Sequence, residues 1–589
     1  MRLTTRAGIA GVTGGALGLF LAAGASAGPA LKPDLILVNG HVVTVDAAGS
    51  VAEAVAISHG RIVRLGTSAD IRALAGKHTR VIDLKGRTAT PGLIDAHAHI
   101  AEGGVSAVYG VPLADATSIA EVVARLKARA AKAKRGEWIL GSGWDEAKLA
   151  ERRYIHAADL DAVTPANPVW LDHTTGHYGV GNSQALKLAG VTGATQNPES
   201  GTIDRDASGA PTGVLKESAQ DFVTKLIPPA TAEQERAGIL ASLDLMHREG
   251  MTAVKDPNIT PAEWDAYVAL AKGGQLKAHV CTLWRTGPTL DSARETIKRL
   301  AAVPKPPATV SGNLIACGVK FFMDGSGAGR TAWVYKPWYK NGGEVDGNNT
   351  GYPLIDPAIY REQVALYHAA GVHVSTHAVG DRAIDWVVDT YAQVLRDKPD
   401  RAVRHGIIHA NIPSDHAIET MAQLERDFDS GYPETQPPFT WWIGDNYAAN
   451  LGPERMERLN PYHSYLTHGV RWAGGSDYPV TPLAARYGLW SSVTRKTLKG
   501  TYGEQPFGTA QAVDVGTALK SYTIWAAHQL FLEAETGSLE RGKSADIAVW
   551  DRDPTTVKAD ELKDLKCELT LFRGEVVYRA DGSPITGAK

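Results

Sequence analysis

Two histidines one residue apart, His97 and His99, follow an apolar pair in the run Pro91-Gly92-Leu93-Ile94-Asp95-Ala96-His97-Ala98-His99-Ile100. If Leu93 to His99 is a strand, alternate side chains share a face, so both imidazoles and Asp95 project to one side. Two neutral imidazoles on one face at the end of an apolar strand make half of a metal site. Lys320 lies among apolar residues in Gly318-Val319-Lys320-Phe321-Phe322-Met323-Asp324, on an expected buried strand. A lone buried ammonium is costly. Either it pairs with a carboxylate such as Asp324, or its amine takes up carbon dioxide to give a carbamate, an anionic bridging ligand for two divalent ions. His377 ends the run from Val372, and His409 ends Gly406-Ile407-Ile408-His409. Asp477 closes Trp472-Ala473-Gly474-Gly475-Ser476-Asp477. It either caps the turn that follows or, beside a metal, takes a proton from an activated water and passes it to a leaving group. Each signal is weak alone; the ordered set is strong.

The elements needed to position these residues are legible as apolar strands alternating with helical stretches, the pattern of an α/β barrel. After the His97 strand come Met251 to Asp256, Ala278 to Arg285, Leu314 to Asp324, Val372 to His377 and Ile407 to Ala410. A weak strand near Thr435-Gln436-Pro437 and a last one, Val470 to Asp477, make eight. Each ends in a polar or special residue, where a TIM barrel carries its chemistry. Helices such as Ala232 to Glu249 and Pro357 to Ala370 fit between them. Roughly Gly103 to Pro229 is too long for a loop and holds helix signals (Ile119 to Ala131) and strand signals (Trp138 to Gly141, Pro168 to Leu171). It is expected to fold as an insertion over the barrel mouth. Trp333 to Tyr352, rich in Gly, Asn, Tyr and Trp, reads as a second, mobile covering loop.

Short strands and turns from Asp34 to about Leu84, with Asn39-Gly40 as a hairpin signal, have the same texture as Ser544 to Trp550 and Thr570 to Tyr578. The two chain ends are expected to meet in one β-module. The whole is then an α/β chain: a (β/α)8 TIM barrel with a small β-sandwich module built from both ends and a large insertion after strand 1. The expected boundaries are 1–27 for a signal peptide, 31–88 and 531–589 for the module, and 89–530 for the barrel with its insertion at about 103–230. The signal reading rests on Arg2 and Arg6, the small apolar run Ile9 to Ala23, and Ala25-Ser26-Ala27 as a cleavage site. That run is shorter than the ~20 residues of a membrane span, so export to a periplasm or beyond is expected rather than stable membrane insertion.

A chain of 589 residues with 44% apolar and 21% charged residues is globular in composition, and its net charge of -3 gives no argument for nucleic acid. Cys281, Cys317 and Cys567 are widely spaced and fit no thiolate metal motif. They are read as structural, and any metal must rest on His, Asp and Lys.

His97-Ala98-His99, Lys320, His377, His409 and Asp477, in that order and setting, resemble the amidohydrolase superfamily and, within it, the YtcJ-type branch of N-substituted formamide deformylase-like enzymes. Val319 to Ser326 followed by Gly329-Arg330-Thr331-Ala332 is similar to that branch's lysine strand, and His377-Ala378-Val379-Gly380-Asp381-Arg382-Ala383 to its fifth-strand motif. Gly176-His177 with Asn182 to Leu186 resembles a segment of its insertion, and Gly537 to Asp546 the return into the β-module. The resemblance covers about residues 33 to 580. It implies that His97 and His99 hold the more buried ion with Asp477, and that carboxylated Lys320 bridges to a second ion on His377 and His409. It also makes Asp477 the catalytic acid/base, and His177, Arg330 and Trp144 candidate substrate contacts. Departures fall at Arg404-His405-Gly406-Ile407-Ile408-His409-Ala410, where the branch has Arg-x-x-Ile-Glu-His-Ala, and around Gln436-Pro437.

The implied activity is metal-dependent hydrolysis of a carbon–nitrogen bond other than a peptide bond, in a small linear amide, N-substituted or aromatic. One or two divalent ions are expected, zinc first, with Mn, Fe or Co as alternatives. Trp333, Trp338, Trp441 and Trp442, in expected mouth segments, suggest an aromatic or apolar substrate portion. An esterase or lactonase at the same site, or a metal-bound binding protein without activity, are the alternatives. The oligomeric state stays open, homodimers being common among such barrels.

Overall fold

The structure, a computed structural model, describes residues 32–340, 343–499 and 507–587. The signal segment read at 1–27 lies outside the described residues.

Eight parallel strands in chain order form the central sheet: β1 (Leu93–Asp95), β2 (Met251–Ile259), β3 (His279–Arg285), β4 (Leu314–Phe322), β5 (His373–Ala378), β6 (Gly406–His409), β7 (Tyr432–Thr435) and β8 (Ala473–Gly474). They are buried along nearly their whole length, as parallel strands covered on both faces must be. The helices between them have sequence-encoded starts. Ala232–Arg248 and Pro261–Lys272 each begin with a reciprocal capping box, Thr231 with Gln234 and Thr260 with Glu263. Together these make a (β/α)8 barrel.

The ring closes between β1 and β8 through loop hydrogen bonds rather than a ladder. Ala96 N donates to Gly474 O at 3.0 Å, and Asp477 N to His97 O at 2.7 Å. The Asp95 carboxylate accepts from Ser476 N at 3.0 and 3.1 Å, and from His97 N at 3.0 Å. This corrects the first and last strands. The chain leaves the sheet after Asp95, because the Asp95 carboxylate captures the amide of His97. The last strand is likewise reduced from Val470–Asp477 to two residues. The seventh ends at Thr435, and Gln436-Pro437 instead opens the helix Pro437–Trp442, with proline at the first helical position where its missing N–H costs nothing.

Between β1 and β2 the chain builds a six-stranded sheet (Val111–Pro112, Ile139–Trp144, Val169–His173, Tyr178–Gly181, Pro211–Glu217 and Gly201–Arg205 at the far edge), with its own core around Trp144, Leu171 and Val180. The chain ends meet where Thr88–Pro91 pairs antiparallel with Ile547–Trp550. Leu35, Val55 and Ile82 there share one core with Ile547, Leu569 and Leu571.

The barrel floor is plugged by Ala526, Ala527, Leu530, Phe531 and Leu532 packed on Ile94, Ala253, Ile408 and Ala473. A disulfide joins Cys281 on β3 to Cys317 on β4 within that floor, and Cys567 is a buried free thiol. The plug is tied down by Arg404, whose guanidinium bonds Glu533 at 2.6 and 3.0 Å and the His528 carbonyl at 2.7 Å. Burial pushes Glu533 up, but the bonds from His528 and Arg404 outweigh it and hold the carboxyl at about 2, below its ordinary 4.5. A carboxylate with a lowered folded value stabilises fully above its unfolded value and stops doing so as the pH falls through the folded one. Urea unfolding is therefore expected to show Glu533→Gln less stable than wild type at pH 6 to 7, the difference shrinking from about pH 4.5 and closing near pH 2.

Candidate metal centre and active site

The seam between β1 and β8 sets the centre of the site, since it places Asp477 against the two histidines that follow β1. Asp477 Oδ1 lies 3.2 Å from His97 Nε2 and 3.3 Å from His99 Nε2. The end of β6 brings in His409, whose ring is 5.5 Å from that of His97, and the end of β5 brings His377, 4.4 Å from His409. Donor atoms of His97, His409 and Asp477 all lie within 4.8 Å of one another. Lys320 on β4 points its Nζ to within 3.5 Å of His97 Nε2. The six residues expected as ligands are thus gathered at one mouth, although His97 and His99 arrive on an irregular segment rather than a strand face.

Two ring orientations are fixed by neighbours. His409 Nδ1 lies 2.6 Å from Gln436 Oε1, and Gln436 directs that oxygen inward because its Nε2 donates to the Glu434 carbonyl at 2.9 Å. His409 therefore carries its proton on Nδ1 and leaves Nε2 free. His377 Nε2 donates to Gly325 O at 3.0 Å, leaving Nδ1 free. Burial holds both rings neutral: His377 falls well below the ordinary imidazole value, with His409's charge adding to the effect. For His409, burial prevails over the opposing Asp477 charge and brings it to about 3. His97 is lowered by burial and then by the Lys320 ammonium. Burial pushes Asp477 up, but bonds and charge from His97 and His99 hold it well below the carboxylate range. Imidazole nitrogens gathered around an anionic carboxylate, each able to give up a proton and offer a lone pair, form a donor set that fits a divalent cation.

Lys320 is not paired with Asp324. That carboxylate instead accepts three backbone N–H groups, from Trp333 at 2.9 Å, Val379 at 3.0 Å and Gly380 at 2.9 Å. Burial, reinforced by the Lys255 charge, brings the Lys320 amine to about 8.

Of the three candidate substrate contacts, His177 reaches the site. Its ring lies 4.9 Å from His377, and Nδ1 is held by Glu217 at 2.9 Å, which itself accepts the Thr331 hydroxyl at 2.5 Å. Arg330 binds Asp346 at 3.0 Å and so ties down the Trp333–Tyr352 segment. Trp144 requires correction: it is fully buried in the insertion core, its indole N–H spent on Leu171 O at 3.0 Å, which leaves it no face for a substrate. Two of the four tryptophans expected at the mouth also pack elsewhere. Trp338 is buried and bonds Ala332 O, and Trp441 lies on Tyr487, Trp442 and Trp490. The aromatic groups against the histidines are Phe439, parallel to His409 at 5.7 Å, and Phe322, 5.3 Å from His377. Sequence reasoning missed Phe439, Glu217 and the role of Gln436. The proximity of Phe439 to Gln436-Pro437 was the available signal; Glu217 had none.

A parallel barrel with imidazole and carboxylate donors at the carboxyl ends of its strands places the chain among metal-site barrel enzymes. A profile described as the amidohydrolase family matches residues 80–578, and the chain belongs to that family. It is 30% identical over 546 residues to Protein LONG AFTER FAR-RED 3 of Arabidopsis thaliana, covering 90% of each chain. It is 27% identical to the putative amidohydrolase YtcJ of Bacillus subtilis (strain 168), covering 92% of this chain and 98% of that one. With N-substituted formamide deformylase of Arthrobacter pascens identity is 29%, over 93% and 99% of the two chains. The crystal structure of an uncharacterized metal-dependent hydrolase from Pyrococcus horikoshii OT3 has the same fold, with TM-score 0.68 and 24% identity over 89% of this chain and 99% of that one.

An ion that binds the folded chain alone must raise its stability, by about 2.7 kcal/mol at a free concentration 100 times Kd. Thermal unfolding of chelator-stripped protein titrated with zinc is expected to show a rising Tm, and His97→Ala or His409→Ala to abolish the rise.

Proposed function

We propose that this protein hydrolyses the carbon–nitrogen bond of a small amide at a divalent metal centre held by His97, His99, His377, His409, Asp477 and Lys320. The observation that carries this reading is the convergence of His97 and His99 on one oxygen of the anionic Asp477, with a donor atom of His409 within 4.8 Å of those of His97 and Asp477. When bound, the ion supplies Lewis acidity, making water acidic near neutral pH and polarising a carbonyl oxygen. Asp477 does the proton work. Its carboxylate takes one proton from the attacking water as the new C–O bond forms, then gives it to the nitrogen as the C–N bond breaks. An amine leaves poorly unless protonated, so a carboxylate poised to return that proton suits an amide more than an ester. The likeness to N-substituted formamide deformylase supports the same class. His177, oriented by Glu217, offers a polar contact from the insertion, while Phe439 and Phe322 supply an apolar wall for the acyl or N-substituent.

Lys320 is proposed to be carboxylated and to bridge two ions, zinc being the first expectation. It is buried, lies 3.5 Å from His97 Nε2, and Asp324 is engaged elsewhere. Export is also proposed, supported by the signal-like composition of Arg2, Arg6, the apolar run Ile9 to Ala23 and Ala25-Ser26-Ala27, and by the Cys281–Cys317 disulfide, a bond favoured in oxidising compartments.

Metal content per chain, measured with Lys320→Ala alongside, tests the centre: two ions falling to one or none support the carbamate bridge, and an unchanged single ion removes it. Asp477→Asn keeps an oxygen ligand but loses the base. It is expected to retain metal and to lose at least about 100-fold in kcat on an amide panel. Turnover of esters alone in the wild type would replace the amide reading by an esterase.

A further inference from the structure

Beneath the metal centre, the barrel interior holds a second charged pair that the proposed chemistry does not use. Lys255 on β2 and Glu434 on β7 are both buried, with Lys255 Nζ 2.9 Å from Glu434 Oε1. The same oxygen accepts the Ser375 hydroxyl from β5 at 2.5 Å. Gly406 on β6 leaves the space for it: a Cβ there would collide with Glu434 Oε1 and stand 2.8 Å from Ser375 Oγ. Three strands therefore cooperate to fix one carboxylate oxygen. Burying such a pair gives little net stability over a well-packed apolar pair, so its value lies in what the other oxygen does.

That other oxygen, Oε2, has no hydrogen-bond partner among the described residues, and neither has His97 Nδ1. The two atoms are 4.0 Å apart. His409 has its rear nitrogen fixed by Gln436, and His377 by Gly325 O. Once a cation takes the Nε2 lone pair beside Asp477, His97 must carry its proton on Nδ1, where Glu434 Oε2, 4.0 Å away, is an acceptor within reach. A separation of 4.0 Å is longer than a hydrogen bond, and a ring shift of about 1 Å closes it.

We propose that Glu434 is the positioning residue of His97. It accepts the Nδ1–H, locking the tautomer and tilt that aim Nε2 at the cation, while Lys255 and Ser375 hold the carboxylate and balance its charge. This rests on the metal-centre reading above. Carboxylates behind metal-bound histidines are a general device, and their loss typically weakens metal binding 10- to 100-fold.

The test measures zinc affinity by chelator competition and the Tm of the metal-free protein, for wild type, Glu434→Gln, and the paired variants Lys255→Met/Glu434→Leu and Lys255→Met/Glu434→Gln. The paired variants remove both charges and so avoid stranding Lys255. Zinc affinity is expected to fall about 10- to 100-fold in Lys255→Met/Glu434→Leu and to recover in part in Lys255→Met/Glu434→Gln, whose amide oxygen still accepts, with metal-free Tm alike in the two. Affinity in both paired variants within threefold of wild type would overturn the proposal and leave the metal centre standing; wild type that binds no zinc would overturn both. Independently of any variant, imidazole nitrogen NMR of the zinc-loaded wild type is expected to show His97 as the Nδ1–H tautomer, and the opposite tautomer would refute it.

Discussion

The seam that joins β1 to β8 is the constraint on which the rest of the site depends. Neither strand is long enough to close the barrel by a backbone ladder, so Asp95 does it with a side chain, holding the amides of His97 and Ser476 at once. The amide of Asp477 then reaches the carbonyl of His97, and the Asp477 carboxylate is delivered to the two imidazoles that follow β1. Closing the ring and assembling the centre are one event. A site on a flexible loop could not hold donors at the tolerance a metal demands; here the barrel's own closure sets it.

Burial of charge shapes everything around that seam. Lys320, Lys255, Glu434 and Asp324 all lie buried inside or at the rim of the barrel. Asp324 is satisfied by three backbone amides and anchors both Trp333 and the Val379-Gly380 turn after β5. Lys255 pairs with one oxygen of Glu434 and leaves the other turned toward His97. Among the described residues Lys320 has no such partner at salt-bridge distance, and it faces the histidines instead, the place where an anionic modification or a cation neighbour has most effect. The low-dielectric surroundings that make these groups expensive also keep His97, His377 and His409 neutral, which is the state a metal ligand needs.

The insertion contributes chemistry as well as cover. Its strand end at Glu217 reaches Thr331 after β4 and His177 beside His377, so the lid and the barrel share one hydrogen-bonded network at the mouth. Arg330 with Asp346 holds the Trp333–Tyr352 segment by a similar bridge. Trp144, Trp338 and Trp441 serve packing rather than a substrate, because large rings fill the space between a lid and a barrel rim at little cost.

The sequence by itself determined the barrel, the eight strands in order, the folded insertion and the residues at the strand ends, because those follow from local periodicity and from polar side chains closing apolar runs. His97, His99, Lys320, His377, His409 and Asp477 were each visible in a short stretch of chain. The extent of β1 and β8 was not, because Asp95 competes for backbone amides through a contact 381 residues away in sequence. Nor were the pairings Lys255–Glu434, His177–Glu217 and His409–Gln436, nor the burial of Trp144 in a separate core. Those were decided by tertiary structure alone. A buried charge or ring nitrogen takes whichever partner the fold brings within about 3 Å, and sequence patterns carry no record of distances between strands.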